Sequence, residues 1–326
     1  MNSVLVTGAN GFVGNQVIKE LLSAGYRVRG LVRPTSDTVN LKGVDVELVS
    51  GDLTDYESLL ASCEGMEAVI HTAALYSFWA PDPEVFYETN VEGTMDLLRA
   101  ASDQGVEKVV VTSTASLLAD SRDGNSLPSE VDELPSAYKR TKLLAERKAL
   151  EFENSRGMDL AIASPTVPIG AGDKGPTPTG RMVLEFLRRR MTGFLEMRFN
   201  LVDVEDVAVG HRKVLEEGKS GERYVLGNRN MKLSEVLRLL SAYTGISLPK
   251  FKIPYPLALV AGSVDTVLRG RLMGRKPAIP LQAVRSSRID ERLNVTSAVR
   301  ELDLPQTPIV KALRKAVDWF YDHDYV

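Results

Sequence analysis

The stretch that decides the fold is Val4-Leu5-Val6-Thr7-Gly8-Ala9-Asn10-Gly11-Phe12-Val13-Gly14. Its apolar start is typical of a short buried strand, and helical apolar spacing begins at Phe12, within the glycine pattern. Gly8 permits a tight turn, Gly11 lets backbone approach a pyrophosphate, and Gly14 lets the helix pack closely on the strand. The helix N-terminus adds free N–H groups and a partial positive charge. This context predicts a dinucleotide-binding loop, and a plain turn is the alternative interpretation.

Strand and helix patterns alternate through the first half of the chain. Strands are predicted over 4–7, 27–32, 44–49, 68–71, 108–112 and 160–163, and helices over 12–24, 56–63, 84–104 and 138–155. This alternation predicts an α/β fold with a doubly wound, parallel Rossmann sheet.

The pattern changes after residue 164. A loop rich in glycine and proline over 165–180 precedes a predicted helix over 182–190, a last sheet strand over 223–226 and an amphipathic helix over 308–321. We therefore predict a dinucleotide-binding Rossmann domain over 1–164, completed by about 200–227. A smaller, mostly helical C-terminal substrate lobe is predicted over 165–199 and 228–326.

Composition excludes several classes of protein. The 326 residues include 40 Lys plus Arg and 43 Asp plus Glu, so a net charge of −3 argues against nucleic acid as a partner. The lone Cys63 and three dispersed histidines predict neither a disulfide nor a metal site. No apolar run approaches the ~20 residues that span a bilayer, and the N-terminus lacks a signal-peptide pattern. The expectation is a cytoplasmic protein without a membrane partner.

Residues after the second and third strands bear on which dinucleotide binds. The second strand ends at Arg33, and no acidic residue follows before Asp37. A guanidinium can hold a 2′-phosphate, whereas an acid would bind the free ribose hydroxyl. The sequence therefore favours NADP(H), with NAD(H) possible and a solvated arginine as the alternative. Asp52-Leu53 lies where it could reach the adenine amine, unless Asp52 or Asp55 caps the next helix.

Tyr138 and Lys142 are four residues apart on one predicted helix, and therefore share a face. A free tyrosine has a pKa of about 10, and a neighbouring ammonium favours the phenolate. Such a pair can exchange a proton with a carbonyl or alcohol oxygen while hydride moves at carbon. The preceding strand end, Thr112-Ser113-Thr114-Ala115-Ser116, supplies hydroxyls that could orient that oxygen, or that merely cap the loop.

These motifs resemble the extended short-chain dehydrogenase/reductases, within the NAD-dependent epimerase/dehydratase family. The resemblance rests on the glycine loop, Asp52-Leu53, His71-Thr72-Ala73-Ala74, Asn90-Val91-x-Gly93-Thr94 and Tyr138-x-x-x-Lys142. Within that family the chain is most similar to hopanoid-associated sugar epimerases, and it is also similar to dihydroflavonol reductases.

The resemblance implies roles for individual residues. The catalytic hydroxyl falls on Thr114, and the proton-transfer residues on Tyr138 and Lys142. Residues implied to contact the cofactor include Asn10, Phe12, Val13, Ala73, Ala74 and Pro165. Candidate substrate residues are Tyr76 and Trp79 in the aromatic run that includes Phe78, together with Thr166 and Arg181; core packing and a solvated helix face are the alternatives. The family also implies a homodimer, through the helices at 84–104 and 138–155.

Three functions remain open. The first is an NADP(H)-dependent reductase that acts on a small-molecule carbonyl. It is favoured by Arg33 and by a segment, 163–168, that lacks the asparagine typical of enzymes acting on sugar nucleotides. The second is a sugar or nucleotide-sugar epimerase or dehydratase with tightly bound NAD(P). The third is a dinucleotide-binding sensor without catalysis.

Overall fold

The computed structural model describes residues 1–77, 79–120, 126–132, 134–287 and 293–326. Its strands, in chain order, are β1 (Ser3–Thr7), β2 (Arg27–Val32), β3 (Glu47–Ser50), β4 (Ala68–His71), β5 (Lys108–Thr112), β6 (Asp159–Pro165), β7 (Val167–Ile169), β8 (Gly193–Phe194), β9 (Arg198–Asp203), β10 (Arg223–Leu226), β11 (Arg229–Lys232) and β12 (Phe251–Lys252). Its α-helices are α1 (Phe12–Ser23), α2 (Tyr56–Cys63), α3 (Glu84–Tyr87), α4 (Gly93–Asp103), α5 (Ala137–Arg156), α6 (Pro178–Leu187), α7 (Val204–Glu217), α8 (Leu233–Thr244), α9 (Tyr255–Asp265), α10 (Leu281–Ser286), α11 (Thr296–Glu301) and α12 (Ile309–Asp322).

Seven strands form one parallel sheet in the order β3-β2-β1-β4-β5-β6-β10. The prediction of a doubly wound Rossmann sheet is confirmed. The chain builds outward from β1 to β3 and then returns to place β4 on the other side of β1. This reversal opens a crevice at the carboxyl ends of β1 and β4, where folds of this type bind ligands.

The sheet is buried on both faces, as its apolar strands require. Val4 and Val6 pack into a core with α1 and α7, whereas Leu5 between them packs into a second core with α2 and α4. Successive side chains of a strand point to opposite faces, so one short apolar run supports helices on each side.

A smaller sheet, β11-β9-β7, supports the C-terminal lobe. Its apolar face packs against α6, α8 and α12 in a core of its own. The predicted boundary near residue 200 falls inside β9, which belongs to this smaller sheet, while β10 and α7 return to the large one. In the described part of the chain, no helix is both long and apolar enough to cross a bilayer.

Four predicted elements differ from the structure. The loop expected over 165–180 contains β7, and α6 begins at Pro178 rather than residue 182, because the Thr177 hydroxyl accepts a hydrogen bond from the Gly180 N–H and caps the helix. The helix expected over 84–104 is interrupted by a π-helical turn over Glu88–Glu92. The third strand starts at Glu47 rather than residue 44.

Candidate active site

Glycines shape the loop between β1 and α1. Gly8 has a φ of +70°, and a Cβ added there would lie 2.9 Å from the backbone of Ala73. A Cβ on Gly14 would lie 2.2 Å from the carbonyl oxygen of Gly8 and 2.8 Å from the Thr72 hydroxyl. A side chain at either position would displace this packing. Gly11 is exposed on the open side of the loop, where its own added Cβ would meet the Gly8 carbonyl oxygen at 3.0 Å.

The N-terminus of α1 follows this loop without a side-chain cap. Gly11 is the N-cap residue, no side chain accepts from the first turn, and that turn holds no acidic residue. The N–H groups of Phe12 and Val13 are therefore open to an anion, which the helix dipole also favours. The loop and the helix end together fit the pyrophosphate of a dinucleotide.

The turn after β2 carries the residues expected to select between NAD(H) and NADP(H). Arg33 is exposed, and its guanidinium makes no hydrogen bond or ion pair with any residue that the structure describes. Asp37 is paired with Lys174, and that hydrogen bond lowers the pKa of the carboxyl. Asn10 holds the turn by donating from Nδ2 to the Asp37 carbonyl oxygen at 3.3 Å. The nearby acid is thus compensated, and Arg33 is available for a phosphate.

The turn after β3 distinguishes the two aspartates proposed as helix caps. Asp55 caps α2 by accepting from the Ser58 N–H. The alternative in which Asp52 caps this helix is therefore wrong. Asp52 accepts at Oδ1 from the N–H and hydroxyl of Thr54, at 3.0 and 2.9 Å. Leu53 is buried, and an added Cβ on Gly93 would lie 2.7 Å from its Cβ. Among the described residues, none donates a hydrogen bond to Oδ2 of Asp52.

The hydroxyls that end β5 have different partners. Ser113 donates to Oε2 of Glu146 at 2.5 Å, and Glu146 is buried and also paired with Arg223. The Thr112 hydroxyl lies 3.0 Å from Nε2 of His211. Both are therefore engaged away from the crevice. The Thr114 hydroxyl lies 3.0 Å from that of Ser116 and is hydrogen-bonded to Tyr138 on α5.

Tyr138 lies in the first turn of α5, which Ser136 caps by accepting from the Lys139 N–H at 3.2 Å. The Tyr138 hydroxyl is hydrogen-bonded to Thr114, and its ring centroid lies 4.9 Å from that of Tyr76. Burial, followed by the nearby Tyr76, raises the pKa of Tyr138, and the Thr114 hydrogen bond opposes this rise only in part. The tyrosine is therefore protonated across the neutral range.

Lys142 lies one turn further along α5 and is only 4% exposed. Its ammonium nitrogen donates to the carbonyl oxygen of Thr112 at 2.5 Å, and burial lowers its pKa to about 8. The sequence predicts that this ammonium, together with a nicotinamide cation, lowers the pKa of Tyr138; in the chain alone, burial of the phenol is the largest influence and raises that pKa. Lys142 is directed at the end of β5 instead.

Asn90 connects two parts of the candidate site, a role that the sequence did not predict. Its Oδ1 accepts from the Leu75 N–H at 2.7 Å, and its Nδ2 donates to the Thr141 hydroxyl at 3.1 Å. It thereby ties the chain after β4 to α5. Asn90 lies within the π-helical turn, a feature often found at functional sites, and the motif Asn90-Val91-x-Gly93-Thr94 was the available signal.

The predicted substrate residues are not all together. Tyr76 contacts Tyr138, and Trp79 packs toward the turn at Gly270, where an added Cβ would lie 3.1 Å from its Nε1. Pro165 is buried at the end of β6, and the Thr166 hydroxyl is used on the Leu226 carbonyl oxygen at 3.4 Å. Arg181 is exposed on α6 and donates to the Pro176 carbonyl oxygen. Phe78 lies outside the described residues.

The chain after β4 completes the crevice. The Ala73 N–H donates to the Thr7 hydroxyl at 3.2 Å, which places Ala73 and Ala74 beside the glycine loop. His71 lies between Thr7 and Thr94, with its ring nitrogens 2.7 and 3.0 Å from their hydroxyls. Burial, with a smaller effect from the charge of Lys142, lowers its pKa to about 3, so it is neutral. This histidine is a structural support of the crevice wall.

A Rossmann crevice that joins such a loop to the Tyr138–Lys142 pair defines a nicotinamide-dependent enzyme of the short-chain dehydrogenase/reductase type. The chain belongs to the NAD dependent epimerase/dehydratase family, whose model matches residues 4–227. This confirms the resemblance drawn from the sequence. The protein is an enzyme whose cofactor is a nicotinamide dinucleotide.

Similar proteins include reductases. The chain is 40% identical over 329 residues to a Synechocystis protein provisionally named dihydroflavonol 4-reductase, covering 98% of this chain and 95% of that one. It is 31% identical over 328 residues to sterol demethylase protein B of Methylococcus capsulatus, covering 99% and 100% of the two chains. The crystal structure of gox2253 superposes with a TM-score of 0.88 at 35% identity, over the full length of both chains.

Proposed function

We propose that this enzyme is an NADP(H)-dependent carbonyl reductase. The observation that carries the proposal is the Tyr138 hydroxyl, which is hydrogen-bonded to Thr114 and has a raised pKa. A protonated phenol is the acid that a carbonyl oxygen needs during reduction. An epimerase cycle begins with an oxidation, for which the same group would first have to be deprotonated.

Each residue of the cluster has a separate task. The Thr114 hydroxyl donates to the substrate carbonyl oxygen and holds it beside Tyr138. Tyr138 then gives its proton to that oxygen, which yields an alcohol. The cofactor, held by the glycine loop and the N-terminus of α1, supplies the hydride when bound. Lys142, near the end of β5, would hold the nicotinamide ribose.

The preference for NADP(H) rests on charge at the end of β2. Arg33 has an exposed guanidinium, and the adjacent acid Asp37 is already paired with Lys174. A 2′-phosphate would therefore meet a cation there and little opposing negative charge. Asp52 serves the adenine amine in the same proposal. NAD(H) remains the alternative cofactor.

The proposed substrate is a small molecule whose carbonyl is attached to an apolar ring system. Tyr76 lies against Tyr138, so an aromatic side chain borders the reacting position, whereas Trp79 packs toward Gly270. Thr166 is a weak candidate for a polar contact, since its hydroxyl is used within the protein. The names of two relatives refer to a dihydroflavonol and a sterol, both compounds built on fused rings.

A sugar or nucleotide-sugar epimerase is the second candidate, favoured by the family's description. It requires tightly bound NAD(P) that is oxidised and reduced within one turnover. The segment 163–168 offers no asparagine to such a substrate, which supports the reductase instead. A sensor without catalysis ranks third, because both Tyr138 and Lys142 are present.

We also propose that the protein is a cytoplasmic homodimer, paired through the helices at 84–104 and 138–155. Sedimentation velocity tests the oligomeric state.

The experiment is an assay of NADPH oxidation with a panel of cyclic and aromatic ketones and aldehydes. Reduction of at least one carbonyl, with one alcohol formed for each NADPH consumed, supports the proposal. The nucleotide released on denaturing the purified protein is identified in parallel. Copurified NAD(H), together with sugar conversion and no net cofactor use, supports the epimerase.

A further inference from the structure

Helix α9 and the π-helical turn that continues it, Thr266–Leu272, carry an exposed apolar surface. Their inner side is buried: an added Cβ on Gly262 would lie 3.1 Å from the side chain of Val284. On the outer side, seven large apolar side chains are between 45% and 73% exposed, namely Leu257, Val260, Val264, Val267, Leu268, Leu272 and Met273. We call these seven residues the α9 apolar face. Their spacing of three and four residues puts most of them on one side of the helix.

Basic side chains outnumber acidic ones in the segment that carries this face. Residues 251–287 contain six basic side chains, Lys252, Arg269, Arg271, Arg275, Lys276 and Arg285, and one acidic residue, Asp265. Lys252 is paired with Glu196, outside this segment, at 2.7 Å. The Asp265 carboxylate is engaged, since it pairs with Arg269 at 3.1 Å and accepts from the Ile279 N–H at 2.7 Å. The whole chain has a net charge of −3, so this positive charge is a local property of the segment.

We propose that the α9 apolar face docks on the surface of an anionic lipid bilayer. The apolar side chains would enter the boundary between headgroups and acyl chains, while Arg271 and Arg275 meet lipid phosphates. Apolar burial and electrostatic attraction act together in such binding, and either alone is weak. The prediction of no membrane partner rests on the lack of a long continuous apolar run in the sequence. A face built from spaced apolar residues does not need such a run.

Charge favours a bilayer over a second copy of the chain. In a symmetric pair, the same surface of each protomer meets the other. The basic residues around one α9 apolar face would then lie near those of its copy, with Asp265 already engaged. Like charges brought together oppose such an interface, whereas anionic headgroups complement it.

The face also lies beside Trp79. A Cβ added at Gly270, in the π-helical turn, would lie 3.1 Å from the indole nitrogen of Trp79, and Trp79 follows Tyr76 by three residues. Burial, with a smaller effect from the charge of Arg181, lowers the pKa of Lys276, so the basic segment also lies near α6. A docked molecule would therefore bring the segment around Trp79 close to the bilayer. The docking itself does not depend on the proposed reduction.

Vesicle sedimentation of the full chain tests the proposal. We expect the protein to sediment with vesicles of equal parts phosphatidylcholine and phosphatidylglycerol, and to remain in solution with phosphatidylcholine alone. Raising the salt concentration should weaken the binding, because exposed charges are screened. Equal sedimentation with both vesicle types, or none with either, would overturn the proposal.

Variants distinguish binding through the α9 apolar face from nonspecific adsorption to vesicles. Leu268→Ser combined with Leu272→Ser should weaken vesicle binding about tenfold or more, because two leucines no longer enter the interface. Leu48→Ser is the matched control for an exposed leucine, on the edge strand β3. Arg271→Glu should weaken binding about tenfold, whereas Arg300→Glu, an equal change of charge on α11, should not.

The same double variant also tests whether a second copy of the chain binds the α9 apolar face. Sedimentation velocity without vesicles should give the same oligomeric state for the parent chain and for Leu268→Ser with Leu272→Ser. If the double variant instead converts a dimer to a monomer, the α9 apolar face belongs to a second copy and the bilayer proposal is wrong. An unchanged unfolding temperature shows that the variant is folded.

Discussion

The Tyr138 hydroxyl is hydrogen-bonded to the hydroxyl of Thr114, which joins the first turn of α5 to the end of β5. Both groups can therefore contact one substrate oxygen. Because burial raises the pKa of the phenol, Tyr138 is protonated at neutral pH and holds the proton that a substrate oxygen would receive.

Replacing Tyr138 by phenylalanine removes the proposed acid and little else. We expect Tyr138→Phe to lower kcat by about 100- to 10,000-fold, the usual range for loss of a general acid. Nucleotide affinity, measured by fluorescence titration, should change by less than about threefold, which is under 0.7 kcal/mol. Tyr243→Phe, a surface tyrosine bonded to Asp318, is the control and should retain full activity. Normal turnover by Tyr138→Phe would remove this residue from the mechanism.

The two adjacent hydroxyls at the end of β5 should separate into catalysis and stability. Thr114→Val should lower kcat about 100-fold by removing one donor to the developing oxyanion, and Thr114→Ser should retain most activity. Ser113→Ala should instead lower the free energy of unfolding by about 1–3 kcal/mol, because buried Glu146 loses a donor. Steady-state kinetics and thermal unfolding of the three variants give the comparison. The reverse pattern would assign the substrate to Ser113.

His71 should make the protein less stable in acid. Its pKa is about 3 in the folded chain, below its ordinary value near 6.5, so between these values the unfolded chain binds the extra proton. The contribution of His71 to the free energy of unfolding is fully present above pH ~6.5. Toward pH ~3 it falls by about 1.4 kcal/mol per pH unit. His71→Gln should reduce the slope of unfolding temperature against pH in that window, whereas His323→Gln, at the surface, should not. An unchanged slope in His71→Gln would show that His71 does not cause the loss of stability in acid.

Local spacing explains why much of the site could be predicted. The glycine loop, and Tyr138 with Lys142 four residues later, are encoded in short stretches whose geometry follows from a strand or a helix. Which hydroxyl faces the crevice is not local: Ser113 is engaged only because Glu146 and Arg223 arrive from α5 and β10. The raised pKa of Tyr138 has the same origin, since burial depends on the whole fold.

Other features were missed because tertiary packing overrides local preference. Val167–Ile169 lies between prolines and glycines, yet it forms a strand because β9 provides a partner. The helical periodicity over 84–104 conceals the π-helical turn that lets Asn90 reach both Leu75 and Thr141. The apolar spacing of α9 is ordinary in sequence, and only the fold leaves that face uncovered.

Arg33 should control the choice of dinucleotide. Arg33→Ser is expected to raise the KM for NADPH about tenfold or more, because charge-assisted hydrogen bonds contribute about 1.5–3 kcal/mol. The KM for NADH should stay within about twofold of its original value, a change below 0.5 kcal/mol. Arg229→Ser, a comparable exposed arginine on β11, is the control for a general loss of positive charge. Equal effects on the two cofactors would contradict selection by Arg33.

The central claim is that the enzyme consumes NADPH to reduce a carbonyl. The most direct measurement follows NADPH and the organic product together in one reaction with an accepted ketone or aldehyde. The account predicts one alcohol formed for each NADPH oxidised, and none with Tyr138→Phe under the same conditions. Conversion of a sugar by the purified protein without net change in any nicotinamide nucleotide would contradict it.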